Sequence, residues 1–326
     1  MNRAAARVQS ILGHPRVFRT IILLVGAAVL LYLAASLWFG WRQAVAALRA
    51  LGLDTLLGGA VLASTSYLWR FLRWEVALRY LGYHVPRWHH LLVYLAGLAL
   101  TATPGKSGET FRTALLLQYG VRAPHSLAAF LVDRATDVLG MCLLGCLASC
   151  LVGQALSWAW LLAFAAALTG SRAFAWLLQH QGTGNWWGRL AGAWQNLPIK
   201  GGQAVLESWA SLWKLPRVVA FSGLAMAAYG SQALVFALFC QVAGTGLTAA
   251  TCVLIFVQAT LFGAASMVPA GLGAMEAALV FQLAERGVGN GVAVSLAIAI
   301  RLVTLWMGMA IGFLSLLAAS REPVRN

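Results

Sequence analysis

Two acid–base pairs recur at one spacing in this chain. Arg134 follows Glu109 by 25 residues, and Arg301 follows Glu276 by 25. Each glutamate closes a proline- and glycine-rich break. In TATPGKSGETFR, Pro104 precedes Gly108 and Glu109; in VPAGLGAME, Pro269 precedes Gly271, Gly273 and Glu276. A carboxylate and a guanidinium so placed can clamp each other, or part to hold a charged group. An interrupted helix adds free backbone dipoles that bind polar ligands. Lys106 and Arg112 flank Glu109 and offer contacts to phosphate, with Arg112 one helical turn further on. Asp133 and Asp137 join Arg134 in the next apolar run. The candidate substrate-binding set is therefore Lys106, Gly108, Glu109, Arg112, Asp133, Arg134, Asp137, Gly271, Gly273, Glu276 and Arg301. No Ser/His/Asp or Cys/His arrangement points to a nucleophile, and no cluster has metal-ligand spacing, so no catalytic residue, metal or cofactor is expected. Cys142, Cys146 and Cys150 recur on one helical face inside an apolar run and are expected to be packing residues. Arg70 and Arg73 are expected to anchor at the membrane interface, with His89 and His90 at a helix start nearby.

The elements that carry these residues must lie in lipid. Of 326 residues, 61% are hydrophobic and 10% charged, where a soluble domain carries about 25% charged. The net charge of +14 does not point to nucleic acid, because the basic residues flank apolar runs as the positive-inside bias requires. Apolar runs predict spans at 18–40, from Leu53 into WRFLRWEVALRYLG, at 124–152, 154–171, 218–243 and 290–318. The pairs 88–103/110–119 and 249–268/277–286 are too short to cross and meet at the two breaks. The first span is too long for a signal segment and is expected to be retained. With the N-terminus, the 70–87 stretch, the 172–217 segment and the C-terminal REPVRN on the cytoplasmic side, one short pair enters from each face. Arg42, Arg49 and Arg286 then lie outside as minor exceptions. Tyr67 precedes Gly82, and Tyr229 precedes Gly244, by 15 residues each, which adds to the match between halves.

The expected fold is an all-α polytopic membrane protein, with about six spanning helices plus two re-entrant helical hairpins in an inverted-topology repeat. It is a single transmembrane domain over 1–326, with repeat one at about 53–152 and repeat two at about 218–318. Between them, a tryptophan-rich amphipathic segment at about 172–217 is expected on the cytoplasmic membrane surface. Breaks in corresponding halves are the sequence pointer to a transporter's binding site, and non-helical backbone at membrane depth needs a cavity or protein around it.

TPGKSGETFRTALLLQYGV, LAAFLVDRATDVLG and VPAGLGAMEAALV resemble the lysylphosphatidylglycerol synthase transmembrane region, the flippase-like domain of MprF proteins that YbhN and AglD-like membrane proteins share. The resemblance runs over roughly 18–318. It departs at Val132-Asp133-Arg134, where the family pattern has Glu-Arg before the aspartate. MprF proteins also carry a soluble C-terminal synthase domain. This chain ends six residues after Ser320, so the resemblance implies the lipid-translocating half alone. The function implied is translocation of a phospholipid or other amphiphilic lipid across the inner membrane, with membrane lipids as partners and both termini cytoplasmic. Two alternatives stay open: a membrane partner of a separate lipid-modifying enzyme, and a membrane-embedded transferase on a lipid-linked substrate. The lipid, the energy coupling and the oligomeric state are not fixed by these residues.

Overall fold

The computed structural model describes residues 51–101, 109, 111–153, 159–169 and 202–321, together with Val45 and Arg49. The predicted span at 18–40, the break residues Lys106 and Gly108, and most of the 172–217 segment lie outside the described residues. All regular structure among the described residues is helical. Helix α1 spans Leu53–Tyr80, α2 Arg87–Ala96 with a 3-10 turn Gly97–Leu100, α3 Phe111–Leu116, and α4 Ala123–Val152. Helix α5 covers Ala159–Thr169. Then follow α6 Gly202–Leu212, α7 Leu215–Val242, α8 Ala249–Ala265, a 3-10 turn Pro269–Gly271, and α9 Ala274–Ala284. The chain closes with α10 Asn290–Arg301, a π turn Leu302–Trp306 and α11 Met307–Arg321.

The sequence pattern predicts about six spans; among the described residues three helices are long and apolar enough to cross a membrane: Ala123–Val152, Leu215–Val242 and Asn290–Ala319, the last continuous through the π turn. Helix α1 matches α7 at 28 residues but carries Arg70, Arg73, Glu75 and Arg79 on its second half. Its glycine cap matches as well. Gly82 after α1 and Gly244 after α7 both take the left-handed conformation, φ 88° and 67°, which glycine adopts without a Cβ penalty.

Helices α1 and α7 pack together along their length and run antiparallel, because Arg217 at the start of α7 lies over the ring of Tyr80 at the end of α1. The last helix of each half crosses to the other half. Helix α4 packs on α8, and α11 packs on α2 and its 3-10 turn. Each short pair folds back on itself. Arg112 of α3 lies against Gly97, and Met275 of α9 against Gly263. The first pair therefore starts and finishes at the Tyr80 end, where Tyr83 bonds His125 at 2.7 Å. The second starts and finishes at the opposite end, where α7 finishes.

Two apolar cores flank the middle. One gathers Phe236, Phe239, Ile255, Phe256 and Leu279; the other gathers Trp74, Tyr94, Leu116, Leu139 and Phe221. Trp209 and Trp213, expected on the membrane surface, belong to the second core instead. They stack at 4.9 Å and are buried where α6 packs against α4. Indole rings prefer such contact when a neighbouring helix covers them. Trp176, Trp186, Trp187 and Trp194 lie outside the described residues.

Candidate functional site

Between the two apolar cores lies a cavity of about 300 Å³. Its wall takes Tyr67 and Arg70 from α1, Arg134 and Asp137 from α4, Tyr229 and Gln232 from α7, and Glu109 and Arg301 beside the two breaks. Both halves thus contribute to one chamber. Its rim includes Val138, Ala264 and Val268, which are apolar and exposed at the protein surface.

The first half builds an ion network. Arg73 is buried, 2.5 Å from Asp133 and 2.7 Å from Asp137, and its Nη1 also donates to Thr136 at 3.3 Å. The Asp133 contact is a close approach of charges rather than an aligned hydrogen bond, since that carboxylate oxygen has no donor well directed at it. Arg134 reaches Asp133 at 2.6 Å, Asp137 at 3.2 Å and Glu109 at 3.6 Å. Glu109 in turn is held by Arg112 and by the Thr101 hydroxyl at 3.2 Å. Such sharing makes burial of these charges tolerable, because each removed from water meets an opposite charge in a low-dielectric setting.

The second half is simpler. Arg301 donates from Nε to Glu276 at 2.8 Å and from Nη2 to the Ala270 carbonyl at 2.7 Å. Ala270 has φ 54°, a left-handed conformation costly for a side-chain-bearing residue; Gly271 and Gly273 also take positive φ, 65° and 76°, with extended Leu272 between them. The guanidinium therefore fixes the break that Glu276 follows. Glu276 itself sits in the first turn of α9, which starts three residues earlier than the sequence pattern places it. The π turn comes directly after Arg301, and the Tyr67 hydroxyl donates to the Thr304 carbonyl within it at 2.7 Å.

The matched positions correspond in space. Tyr67 and Tyr229 each stand fourteen residues after the first residue of their helix, Leu53 or Leu215. Tyr67 bonds Thr304, and Tyr229 donates to Asp137 at 3.2 Å. Asp137 and Thr304 each stand fourteen residues after Ala123 or Asn290. So each tyrosine bonds a residue that stands at the same count along a helix of the other half.

The sequence-derived residues have separate fates. Glu109, Arg134, Asp137, Gly271 and Arg301 line the cavity. Glu276 touches it through Arg301, and Asp133 stands behind Arg134 against Arg73. Arg112 is fully buried behind the wall, its guanidinium between the rings of Trp74 at 4.5 Å and Tyr94 at 4.6 Å. Gly273 caps α9. Lys106 and Gly108 lie outside the described residues. Arg70 and Arg73, expected as interfacial anchors, are instead 6% and 1% exposed at the centre of the polar region. A basic run near a helix end resembles an anchor in sequence; the carboxylates that draw Arg73 inward stand on another helix. His90 is likewise buried, while His89 is half-buried. Gln232 carried no sequence signal, and Tyr67 and Tyr229 were marked by their glycine spacing alone. Among the described residues no group of three metal-ligating side chains assembles.

Residues 20–312 match the family described as the lysylphosphatidylglycerol synthase TM region. A comparison with curated proteins gives no match.

Proposed function

The chain belongs to the lysylphosphatidylglycerol synthase TM region family, and from that premise we propose that it transports an amphiphilic lipid across the inner membrane. One observation carries the reading. A cavity with a charged and hydroxylated wall has a rim of exposed apolar side chains at Val138, Ala264 and Val268. A polar head can enter such a chamber while its tails stay in the bilayer. A site for a small water-soluble solute would gain nothing from an apolar rim.

In this reading the two halves are inverted repeats, and the short pairs are re-entrant hairpins opening to opposite faces. The opposed ends of the hairpins and the crossed packing of α4 on α8 and α11 on α2 support it. Arg79, Arg87, Arg122 and Arg217 gather at the Tyr80 end, which favours that end as cytoplasmic. Movement of the head exchanges the Glu109–Arg134 and Glu276–Arg301 contacts between closed and parted states. The protein acts as a transporter rather than an enzyme, with lipids as its partners.

The test is lipid movement in vesicles holding about one protein each, read by quenching of fluorescent phospholipid in the outer leaflet. Wild type accelerates exchange between leaflets. Thr260→Trp, which fills the cavity, abolishes it while the protein melts normally. A wild type that moves no lipid of any head group overturns the reading.

A further inference from the structure

Arg70 is a buried charge with no carboxylate in direct contact; Asp137 acts on it only from a distance. It projects from the middle of α1 into the cavity, is 6% exposed, and lies 4.5 Å over the ring of Tyr229. It forms no hydrogen bond or ion pair with any described residue, and its Nε is shut from solvent without an acceptor. The other buried arginines of the site are engaged: Arg73 by Asp133 and Asp137, Arg112 by Glu109, Arg134 by all three carboxylates, Arg301 by Glu276. Across the described site, the five arginines 70, 73, 112, 134 and 301 face the four carboxylates 109, 133, 137 and 276. One positive charge is left over.

The fold does not require that charge. Seventeen residues into α7, where Arg70 stands in α1, the chain has Gln232, which also lines the cavity and donates to Ser66 at 3.0 Å. A neutral amide thus serves the matching place. An arginine held in a low-dielectric wall with no carboxylate in direct contact carries a desolvation penalty that an incoming anion relieves. Stacking on Tyr229 fixes the face of the guanidinium and leaves its N–H edge for a fork-shaped contact.

We propose that Arg70 anchors a monoanion subsite in the cavity, one that takes a phosphate or phosphodiester group. The carboxylates that share the wall, Glu109 and Asp137, are already occupied by Arg112, Arg73 and Arg134. The leftover charge matches one negative charge, and the tetrahedral oxygens of a phosphodiester suit the guanidinium fork. The subsite deepens the transport reading and rests on it for the source of the group, a lipid head or free phosphate.

The experiment uses the full chain in a neutral detergent. Short-chain phosphatidylglycerol, inorganic phosphate and short-chain diacylglycerol are titrated separately into wild type, Arg70→Gln and Arg70→Lys, with binding read by calorimetry and folding by thermal melting. Phosphatidylglycerol binds wild type, Arg70→Gln weakens it by about tenfold or more, and Arg70→Lys falls between. Diacylglycerol is indifferent to the substitutions. Unliganded Arg70→Gln melts no lower than wild type, an outcome a structural role for Arg70 would not give. Arg70-dependent binding of inorganic phosphate without phosphatidylglycerol keeps the subsite and assigns it free phosphate. Equal affinity in wild type and Arg70→Gln, or no binding of either phosphate compound to wild type, overturns the proposal. If lipid movement in vesicles still depends on an open cavity, the transport reading survives that failure. Conversely, Arg70-dependent binding in a protein that moves no lipid keeps the subsite and removes the transport reading.

Discussion

Arg73 lies three residues beyond Arg70 on the same helix but answers to the opposite logic. Its guanidinium holds Asp133 and Asp137, so Arg73→Gln leaves two carboxylates buried and close together. The expected loss is about 3–5 kcal/mol, read as a lowered melting temperature in detergent. The second half shows how the site can do without the pair. The places of Arg73 and Asp133, twenty and ten residues into α1 and α4, are taken in α7 and α10 by Val235 and Ile300, both fully buried. Arg73→Val with Asp133→Ile therefore recovers more than half of the loss, since a packed apolar pair replaces a buried ion pair at little cost. A double variant no better than the single would remove the equivalence of the halves at this point. Glu109 gives a second test. Its carboxylate is shared between fully buried Arg112 and the more accessible Arg134, which also has two aspartates. Double-mutant cycles are expected to show stronger coupling of Glu109 to Arg112 than to Arg134. Arg112→Ala lowers stability as well, because it empties the slot between Trp74 and Tyr94.

At the scale of elements, close helix approach depends on glycine at few places. Gly308 and Gly312 stand one turn apart on α11, the first against the Tyr67 hydroxyl and the second against the 3-10 turn after α2. A Cβ at Gly312 would meet the carbonyl carbon of Leu98 at 2.8 Å, and backbone cannot swing aside as a side chain can. Small residues of this kind let helices touch in a membrane, where apolar burial alone does not drive them together. Gly312→Leu is expected to cost upward of about 2 kcal/mol and to slow lipid movement, because it parts α11 from the first hairpin. Gly223→Leu, with open space at that position, is expected to be near neutral in the same melting measurement. Equal effects at both glycines would show that the α11–α2 contact is not tight in solution.

On the scale of the whole molecule, the two ends differ in charge and in which short helix pair starts and finishes there. Single cysteines placed at Thr245 and Gly287, both in turns at the end where α7 finishes, are expected to react with an impermeant thiol reagent added outside cells. A cysteine at Arg122, beside Tyr83 at the other end, should stay unlabelled until the membrane is opened. Outside labelling at Arg122 together with Thr245 and Gly287 would place both short pairs on one face and remove the inverted arrangement, whereas outside labelling at Arg122 alone would reverse the orientation.

The sequence by itself determined the all-helical membrane class and the places of the helices from Leu53 to Val152 and from Leu215 onward. Lipid tolerates backbone polar groups only when they are bonded within a helix, so apolar runs mark where helices lie. The Pro/Gly breaks and the repeated 25-residue spacing singled out Glu109, Arg134, Glu276 and Arg301, because a buried charge must find its partner and the partner's place recurs with the fold. What sequence could not decide was which residue meets which across helices. Arg70 and Arg73 look alike in WRFLRWEVALRYLG, yet one is locked between two aspartates of α4 and the other faces an open chamber. Arg112 looks like a ligand group and is buried behind the wall. Trp209 and Trp213 look like surface anchors and fill a core. Those outcomes depend on the crossing of α4 and α11 between the halves, and spacing along one chain carries no record of which helix lies beside which.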